Sequence, residues 1–190
     1  GEGPPNFSVG FLVDDMDLSG LGMLGHLFDI GQVEIFKGPQ STIFGSNALA
    51  GLISIKSNNP ERDFGLETSL SFGSDNLRSV GSMVNIKLAN NLFLRVSISL
   101  NNSDGFRDNK SLNISNSNKK EESVTRLKAK FFPSSNVSLL GTFLYADLSN
   151  GYDLWAPDNN TNFNTYSDSL GADSQLTKGL SIRGEISVNV

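Results

Sequence analysis

The chain contains no cysteine and only one histidine among its 190 residues. Without cysteine it can form neither a disulfide framework nor a thiolate metal site, although such a composition is compatible with an oxidising compartment. The single histidine, His26, has no clustered partners. We therefore expect it at a surface or an interface rather than in the role of a metal ligand or general base.

A basic excess and a long apolar run are also missing. The chain has 15 Lys+Arg residues against 20 Asp+Glu, a net charge of −5, which argues against nucleic acid as a partner. No apolar run approaches the roughly 20 residues of a membrane-spanning helix, so any membrane insertion has to use strands. The first residues contain neither a starting methionine nor an apolar signal region, and the last ones lie in an alternating strand. We therefore expect a fragment of a longer protein.

Patterns typical of catalysis are absent as well. The sequence has no G-x-S-x-G nucleophile elbow and no phosphate-binding loop spacing, and its carboxylates are scattered over turns and loops. Asp14, Asp15 and Asp17 are clustered, but they lack the glycine and distal glutamate of a calcium loop, so we expect a solvated turn. The chain is predicted to be no enzyme, to hold no cofactor or metal, and to act by binding.

Apolar and polar residues alternate from residue 64 onward, over segments of roughly ten residues. The clearest segment runs from 92 to 101, where leucine, valine and isoleucine oppose arginine, serine and asparagine. Such alternation is typical of membrane-barrel strands and also of the half-buried strands of a soluble sandwich. Seven strands are predicted, at residues 64–72, 80–88, 92–101, 126–131, 137–145, 170–175 and 180–189.

The connections between these strands favour a membrane barrel. Short ones at 89–91, 133–136 and 177–179 alternate with long polar ones at 104–123 and 150–168. Outer-membrane barrels have short periplasmic turns and longer extracellular loops, whereas a soluble sandwich has no reason to place every long loop at one end. The basic residues that lie opposite the aliphatic ones can face a wet lumen, where they need no burial.

Residues 6–60 have a different pattern, that of a small α+β unit. Strands are predicted at 8–14, 33–36 and 52–56, with a short helical turn over 24–30. The segment 33–55, VEIFKGPQSTIFGSNALAGLISI, resembles the end of the plug domain of TonB-dependent outer-membrane receptors, V-E-V-x-[KR]-G-P-x-S-x-x-[YF]-G-x-x-A-x-G-G-x-[IV]-x-[IV]. Ala50 stands where that family usually has glycine. The matching residues are Glu34, Lys37, Gly38, Pro39, Ser41, Phe44, Gly45, Ala48, Gly51 and Ile55.

Two further segments are similar to barrel segments of the same family, SDGFRDN at 103–109 and GYDLW at 151–155. The resemblance implies a mainly β fold, in which a partial transmembrane antiparallel β-barrel of about seven strands follows a small α+β plug. Residues 1–60 would be the C-terminal part of the plug domain, and residues 61–190 the N-terminal part of the barrel.

The function that the resemblance implies is active import of a scarce chelate, a ferric siderophore or cobalamin, across the bacterial outer membrane. The partners would be outer-membrane lipid, the chelate, and the energy-coupling protein TonB, whose binding box lies outside this sequence. A passive porin-like or adhesin barrel is one alternative, and a soluble β-sandwich binding module is another.

Two sets of residues are predicted to carry this function. The chelate would meet the plug's apical loop and the aromatic connection of the barrel, although those aromatic residues could equally anchor the membrane interface. Lys37 would stand where the family often has an arginine that pairs with barrel glutamates, and the small residues would let the barrel wall approach the plug backbone closely. The ligand set is Leu18, Ser19, Gly20, Leu21, Tyr152 and Trp155; the plug motif and plug–barrel contact set is Glu34, Lys37, Gly38, Pro39, Gly45, Ala48 and Gly51.

Overall fold

The computed structural model describes residues 8–21, 27–40, 42, 48–152 and 162–188. Within these residues the chain forms twelve strands arranged in three sheets. The strands are β1 (Val9–Val13), β2 (Met16–Asp17), β3 (Ile30–Lys37), β4 (Gly51–Ser57), β5 (Gly65–Phe72), β6 (Arg78–Ala89), β7 (Leu92–Ser103), β8 (Asp108–Asn109), β9 (Lys120–Ser134), β10 (Val137–Gly151), β11 (Asn164–Thr165) and β12 (Ala172–Ile186).

The first sheet, called here the small sheet, contains four strands in the order β2-β1-β4-β3. The central strands β1 and β4 run parallel, and β2 and β3 pair with them in the antiparallel sense. The three strands predicted before residue 60 overlap β1, β3 and β4. Part of the predicted helical turn lies outside the described residues, and its described part contains Phe28 and Asp29 in a turn.

The second sheet, called the large sheet, contains six antiparallel strands in the order β12-β10-β9-β7-β6-β5. One continuous strand, β12, covers the region where the sequence predicted two strands separated by Thr177-Lys178-Gly179. Gly179 pairs with Leu144 inside the sheet, and Lys178 lies with its Nζ 5.9 Å from the centre of the Tyr145 ring. The segment Thr177-Lys178-Gly179 is therefore part of a strand and not a turn.

The two faces of the large sheet differ in polarity. The face turned away from the small sheet, called the outer face, exposes aliphatic and aromatic side chains over all six strands, up to 76% at Phe72 and Ile182. A continuous apolar surface of this kind is unusual in water and matches the lipid-facing band of a membrane barrel. Its members include Leu66, Leu70, Phe72, Ile98, Leu100, Leu127, Phe131, Leu139, Phe143, Leu176, Leu180, Ile182 and Ile186.

Among the described residues, no helix has the length and hydropathy needed to cross a membrane.

The inner face of the large sheet packs against the small sheet. One buried cluster joins Phe11, Val13, Leu18 and Ile55 of the first 60 residues to Val124, Leu144, Ala146 and Leu148 of β9 and β10. This contact explains why the sequence of β10 is apolar on both faces. The opposite face of the small sheet has a second cluster of Leu12, Ala48 and Leu52, with Phe36 packed against it.

Candidate functional site

A buried set of charged side chains joins the two sheets, and Asp14 lies at its centre. Asp14 directly follows β1 with a φ of 48°, and its side chain is only 6% exposed. One carboxylate oxygen accepts hydrogen bonds from the Ser57 backbone N–H at 3.0 Å and from Lys128 Nζ at 2.9 Å, and the other accepts one from Ser57 Oγ at 2.7 Å. The carboxylate thus holds the end of β4 and a side chain of β9 at the same point.

Lys128 and Arg126 reach this carboxylate from the inner face of β9. Lys128 also donates to the Ser57 carbonyl at 3.0 Å and to Asn59 Oδ1 at 3.2 Å, so three oxygen atoms surround its ammonium group. Arg126 Nε lies 3.7 Å from Asp14 Oδ2, and Arg126 Nη1 donates to the carbonyls of Phe28 and Asp29 at 3.5 Å. Both side chains are at least 94% buried, because they are 6% and 4% exposed.

A second buried pair joins Asp29 to Arg95 of β7. Arg95 Nε donates to both carboxylate oxygens at 3.1 and 3.0 Å, and Nη2 donates to Oδ1 at 2.6 Å. Asn58 Nδ2 also donates to Asp29 Oδ1 at 2.9 Å. Multiple donors on one carboxylate fix geometry as well as charge, so this pair sets the orientation of the turn that precedes β3.

A third contact lies at the edge of the large sheet, on β12. Arg183 forms an ion pair with Asp15, and Ser181 Oγ donates to the Asp14 carbonyl at 3.2 Å. The side chains of Arg183 and Asp15 are 43% and 51% exposed, so water screens this pair far more than the two buried ones. Together the three contacts hold the small sheet to β7, β9 and β12.

The structure corrects two expectations about these charges. Asp14 was expected in a solvated turn, and the basic residues opposite the aliphatic ones were expected to face a wet lumen. Instead Asp14, Arg95, Arg126 and Lys128 are all at most 8% exposed, because the small sheet covers this part of the inner face. A buried charge needs a partner, and the acidic turn at the end of β1 supplies it.

The two long connections of the large sheet, one between β7 and β9 and the other between β10 and β12, pair with each other. Strands β8 and β11 form a parallel two-stranded sheet, in which the Asp108 amide donates to the Phe163 carbonyl and the Lys110 amide to the Thr165 carbonyl, at 3.0 and 2.9 Å. The rings of Phe106 and Phe163 meet edge to face, 5.3 Å apart. We call this paired region, formed by 104–119 and 162–171, the loop pair.

Buried asparagines give the loop pair its shape. Asn118 is 2% exposed, and its Oδ1 accepts the backbone N–H groups of Phe106 and Arg107 at 2.9 and 2.8 Å. Asn109 is 1% exposed; its Oδ1 accepts the Leu112 amide at 3.0 Å, and its Nδ2 donates to the Ser167 carbonyl at 3.1 Å. Side-chain amides therefore replace the backbone ladder that a regular strand would have here.

Two clefts open beside the loop pair. A polar one of about 510 Å³ is lined in part by Arg78, Asn102 and Lys119, and a more apolar one of about 300 Å³ is lined in part by Ile114 and Leu170. The loop pair also contains an ion pair, in which Lys110 Nζ donates to Asp108 Oδ2 at 2.8 Å. This hydrogen bond, with the coulombic attraction of the same lysine, holds the pKa of Asp108 below its ordinary value.

The predicted ligand residues fall into two places. Leu18 is buried in the cluster between the sheets, Ser19 Oγ accepts the Phe11 amide at 2.9 Å, Gly20 is exposed with a φ of 78°, and Leu21 packs against the cluster. Tyr152 is 60% exposed and lies against Gly171, at the base of the loop pair. Trp155 lies outside the described residues. A binding role for these residues stays a prediction.

The predicted plug-motif residues lie within the small sheet. Glu34 is 3.7 Å from Lys56 in an exposed pair, and Lys37 is exposed at the end of β3, with no ion pair to any described residue. Ala48 is buried in the small sheet's second cluster, and a Cβ on Gly51 would lie 2.7 Å from the Phe36 carbonyl oxygen. Gly38 has a φ of 87°, which favours glycine before Pro39. Gly45 lies outside the described residues.

The sequence did not predict that these charged residues would join the two sheets. Asp14 and Lys128 are 114 positions apart, and Asp29 and Arg95 are 66 apart, so no local pattern connects them. One signal was available: several basic residues, among them Arg95, Arg126 and Lys128, occupy the same face of β7 and β9 among small polar neighbours, and an acidic turn precedes them. If these basic side chains had been assumed to be buried, acidic partners would have been expected for them.

No protein-family model matches the chain. Solved structures do match it. The ferric-catecholate import receptor Fiu from E. coli is similar with a TM-score of 0.75 and 21% identity, over 96% of this chain and 30% of that one. The ferripyoverdine receptor of the outer membrane of Pseudomonas aeruginosa is similar with a TM-score of 0.69 and 18% identity, over 92% of this chain and 25% of that one.

The ferric yersiniabactin uptake receptor FyuA from Yersinia pestis is also similar, with a TM-score of 0.72 and 16% identity. The match covers 96% of this chain and 30% of FyuA, so the chain spans about a third or less of the length of each of these three receptors. The small sheet and the open six-stranded sheet thus agree with the fold class predicted from the sequence. The chain therefore has the fold of a part of these plug-and-barrel receptors, as the resemblance to TonB-dependent receptors implied.

Proposed function

We propose that this chain is part of a TonB-dependent outer-membrane receptor that imports a ferric chelate. Residues 1–60 would be the C-terminal part of the plug, and residues 61–190 the first part of the barrel. The observation that carries this proposal is the attachment of the small sheet to the inner face of the large one by buried ion pairs. A sheet held inside a barrel wall in this way blocks the path through the barrel.

The outer face of the large sheet supports a place in the outer membrane. Its side chains are apolar and exposed on all six strands, and lipid would cover them. This surface argues against a soluble β-sandwich, in which one face of each sheet is turned to water. The attached small sheet argues against a passive porin, because an open pore has no use for a domain that fills its lumen.

The nature of the attachment suits a plug that has to move and return. Pulling on the small sheet would separate Asp14 from Lys128 and Asp29 from Arg95, and water entering the gap would hydrate all four ionised groups. Removing one partner of a buried pair costs about 3–5 kcal/mol, because the other charge stays buried and unpaired. When both partners are exposed together, hydration offsets much of that cost. The ion pairs would thus hold the plug at rest and separate under an applied force.

The cargo is proposed to be a ferric chelate. The three similar receptors are described as a ferric-catecholate import receptor, a receptor bound to ferripyoverdine and a ferric yersiniabactin uptake receptor. In this chain, the exposed rings of Phe106, Phe163 and Tyr166 on the loop pair offer contact area for a planar organic ligand at small entropic cost. Cobalamin is the alternative cargo.

The experiment is iron uptake by cells that express the full-length receptor as their sole ferric-chelate receptor. Cells would receive radioactive iron bound to a catecholate siderophore, with and without a reagent that collapses the proton gradient. The proposal expects uptake that stops when the gradient is collapsed or when TonB is deleted. Uptake that continues under both conditions would identify a passive barrel, and energy-dependent uptake of cobalamin instead of iron would identify the other cargo.

A further inference from the structure

Two glycines on the inner face of the large sheet contact side chains that belong to the small sheet or to the turn before β3. A Cβ placed on Gly81 of β6 would lie 2.6 and 2.7 Å from Cδ2 and Cε2 of Phe28. A Cβ placed on Gly179 of β12 would lie 2.6 Å from Met16 Sδ. Carbon atoms pack at roughly 3.5–4.0 Å, so either methyl group would push its neighbour away by about an ångström. Each glycine thus leaves the space that the neighbouring side chain occupies, and an added methyl group would require that side chain to shift.

Each of these contacts lies next to an acidic residue that pairs with the large sheet. Phe28 precedes Asp29, whose carboxylate accepts from Arg95 at distances down to 2.6 Å. Met16 follows Asp15, and Asp15 pairs with Arg183. Arg183 lies on β12, the strand that also contains Gly179, and on the same face. An apolar contact and a charged contact are thus combined at each site.

The two sites lie far apart across the sheet. In the strand order β12-β10-β9-β7-β6-β5, Gly179 is on one edge strand and Gly81 is next to the other edge. The Asp14 cluster on β9 lies between them. The two steric contacts thus act together with the ion pairs on β7, β9 and β12 to restrict both the position and the rotation of the small sheet.

We propose that Gly81 and Gly179 are positioning residues that set the resting place of the plug. By admitting Phe28 and Met16, they bring Asp29 and Asp15 within reach of their basic partners. This inference rests on the proposed function only in treating the small sheet as a plug, and it adds which wall residues determine its seat. Overpacking at either glycine is expected to raise the population of the unseated plug by about tenfold.

The test uses the full-length receptor in cells, with Gly81→Ala and Gly179→Ala as the perturbing variants. Gly141→Ala is the matched control, because a Cβ at Gly141 of β10 would meet only the Ala129 carbonyl oxygen, 4.0 Å away. The readout is entry of a large antibiotic that an intact outer membrane excludes, expressed per assembled receptor. Assembly is measured by the shift in electrophoretic mobility between heated and unheated samples.

The expected result is about tenfold faster antibiotic entry for Gly81→Ala and Gly179→Ala, with Gly141→Ala at the wild-type rate. A second set of variants tests the steric cause. Phe28→Ala combined with Gly81→Ala, and Met16→Ala combined with Gly179→Ala, should leak less than the corresponding glycine variants alone, because the added methyl group then has space.

Two results would overturn the inference: glycine variants that leak no more than Gly141→Ala, or leaks that the second substitutions leave unchanged. Ferric-chelate uptake measured in the same cells separates this inference from the proposed function. Energy-dependent uptake without glycine-dependent leakage leaves the function standing and removes the inference. Glycine-dependent leakage without energy-dependent uptake does the opposite.

Discussion

Replacing Asp14 by asparagine removes one negative charge from the centre of the contact between the two sheets and leaves its shape almost unchanged. The asparagine oxygen can still accept a hydrogen bond from the Ser57 amide or from Lys128, and its amide can donate to Ser57 Oγ. What is lost is the charge that opposes Lys128 and Arg126, both at least 94% buried. The substitution therefore tests charge rather than packing.

The expected loss is about 3 kcal/mol, the lower end of the range for breaking a buried pair from one side. The lower end applies because Lys128 keeps the Ser57 carbonyl and Asn59 Oδ1 as acceptors, at 3.0 and 3.2 Å. Since about 1.4 kcal/mol is a factor of ten, the population in which the small sheet is detached should rise about a hundredfold.

Hydrogen exchange of the full-length receptor in detergent measures this population directly. Peptides that cover Val9–Val13 and Gly51–Ser57 should exchange about a hundredfold faster in Asp14→Asn, whereas the strands of the large sheet should not change. Asp15→Asn is the matched control, with the same chemical change one residue away. Its pair with Arg183 is about half exposed, so its expected effect is at most about 1 kcal/mol.

Equal acceleration in Asp14→Asn and Asp15→Asn would refute the reasoning, because burial would then not determine the strength of these contacts. So would an Asp14→Asn protein with wild-type protection. Adding Lys128→Met to Asp14→Asn should restore part of the protection, since removing both charges costs far less than removing one.

Three further outcomes are expected. Asn118→Ala leaves two backbone amides of the loop pair without their acceptor, a loss of about 1–3 kcal/mol that should make this loop the first site cut by protease on whole cells. Leu180→Arg, on the outer face, should reduce the amount of assembled receptor at a cost of about 2–4 kcal/mol, whereas Gln175→Arg on the inner face should not. Because Lys110 lowers the pKa of Asp108, that pair stabilises the loop above the ordinary aspartate pKa and is lost only as pH falls through the lowered value. Limited proteolysis should therefore give the same loop cleavage at pH 5 as at pH 7.

The strands of the large sheet could be predicted because its two faces differ in polarity, so that apolar and polar residues alternate along each strand. That alternation is local, and it identified both faces of β7 and β9 correctly. It was less clear in β10, where Leu144, Ala146 and Leu148 of the inner face are as apolar as the outer face. Those side chains pack against the small sheet, a contact that strand periodicity does not encode.

The attachment of the small sheet could not be predicted for a related reason. Asp14 looked like part of a solvated acidic turn, since nothing near it in sequence is basic. Its partners Arg126 and Lys128 follow more than a hundred residues later, and only the packing of one sheet on the other brings them together. Likewise, Gly179 in Thr177-Lys178-Gly179 suggested a turn, and its actual neighbour is Met16.

The central claim is that the small sheet closes a path through the barrel. Single-channel recording in a planar bilayer tests it most directly, with the full-length receptor compared with a variant that lacks residues 8–57. We expect the intact receptor to be closed and the shortened one to conduct as a large, ohmic pore. Equal conductance of the two proteins would contradict the account, because the small sheet would then not be a plug.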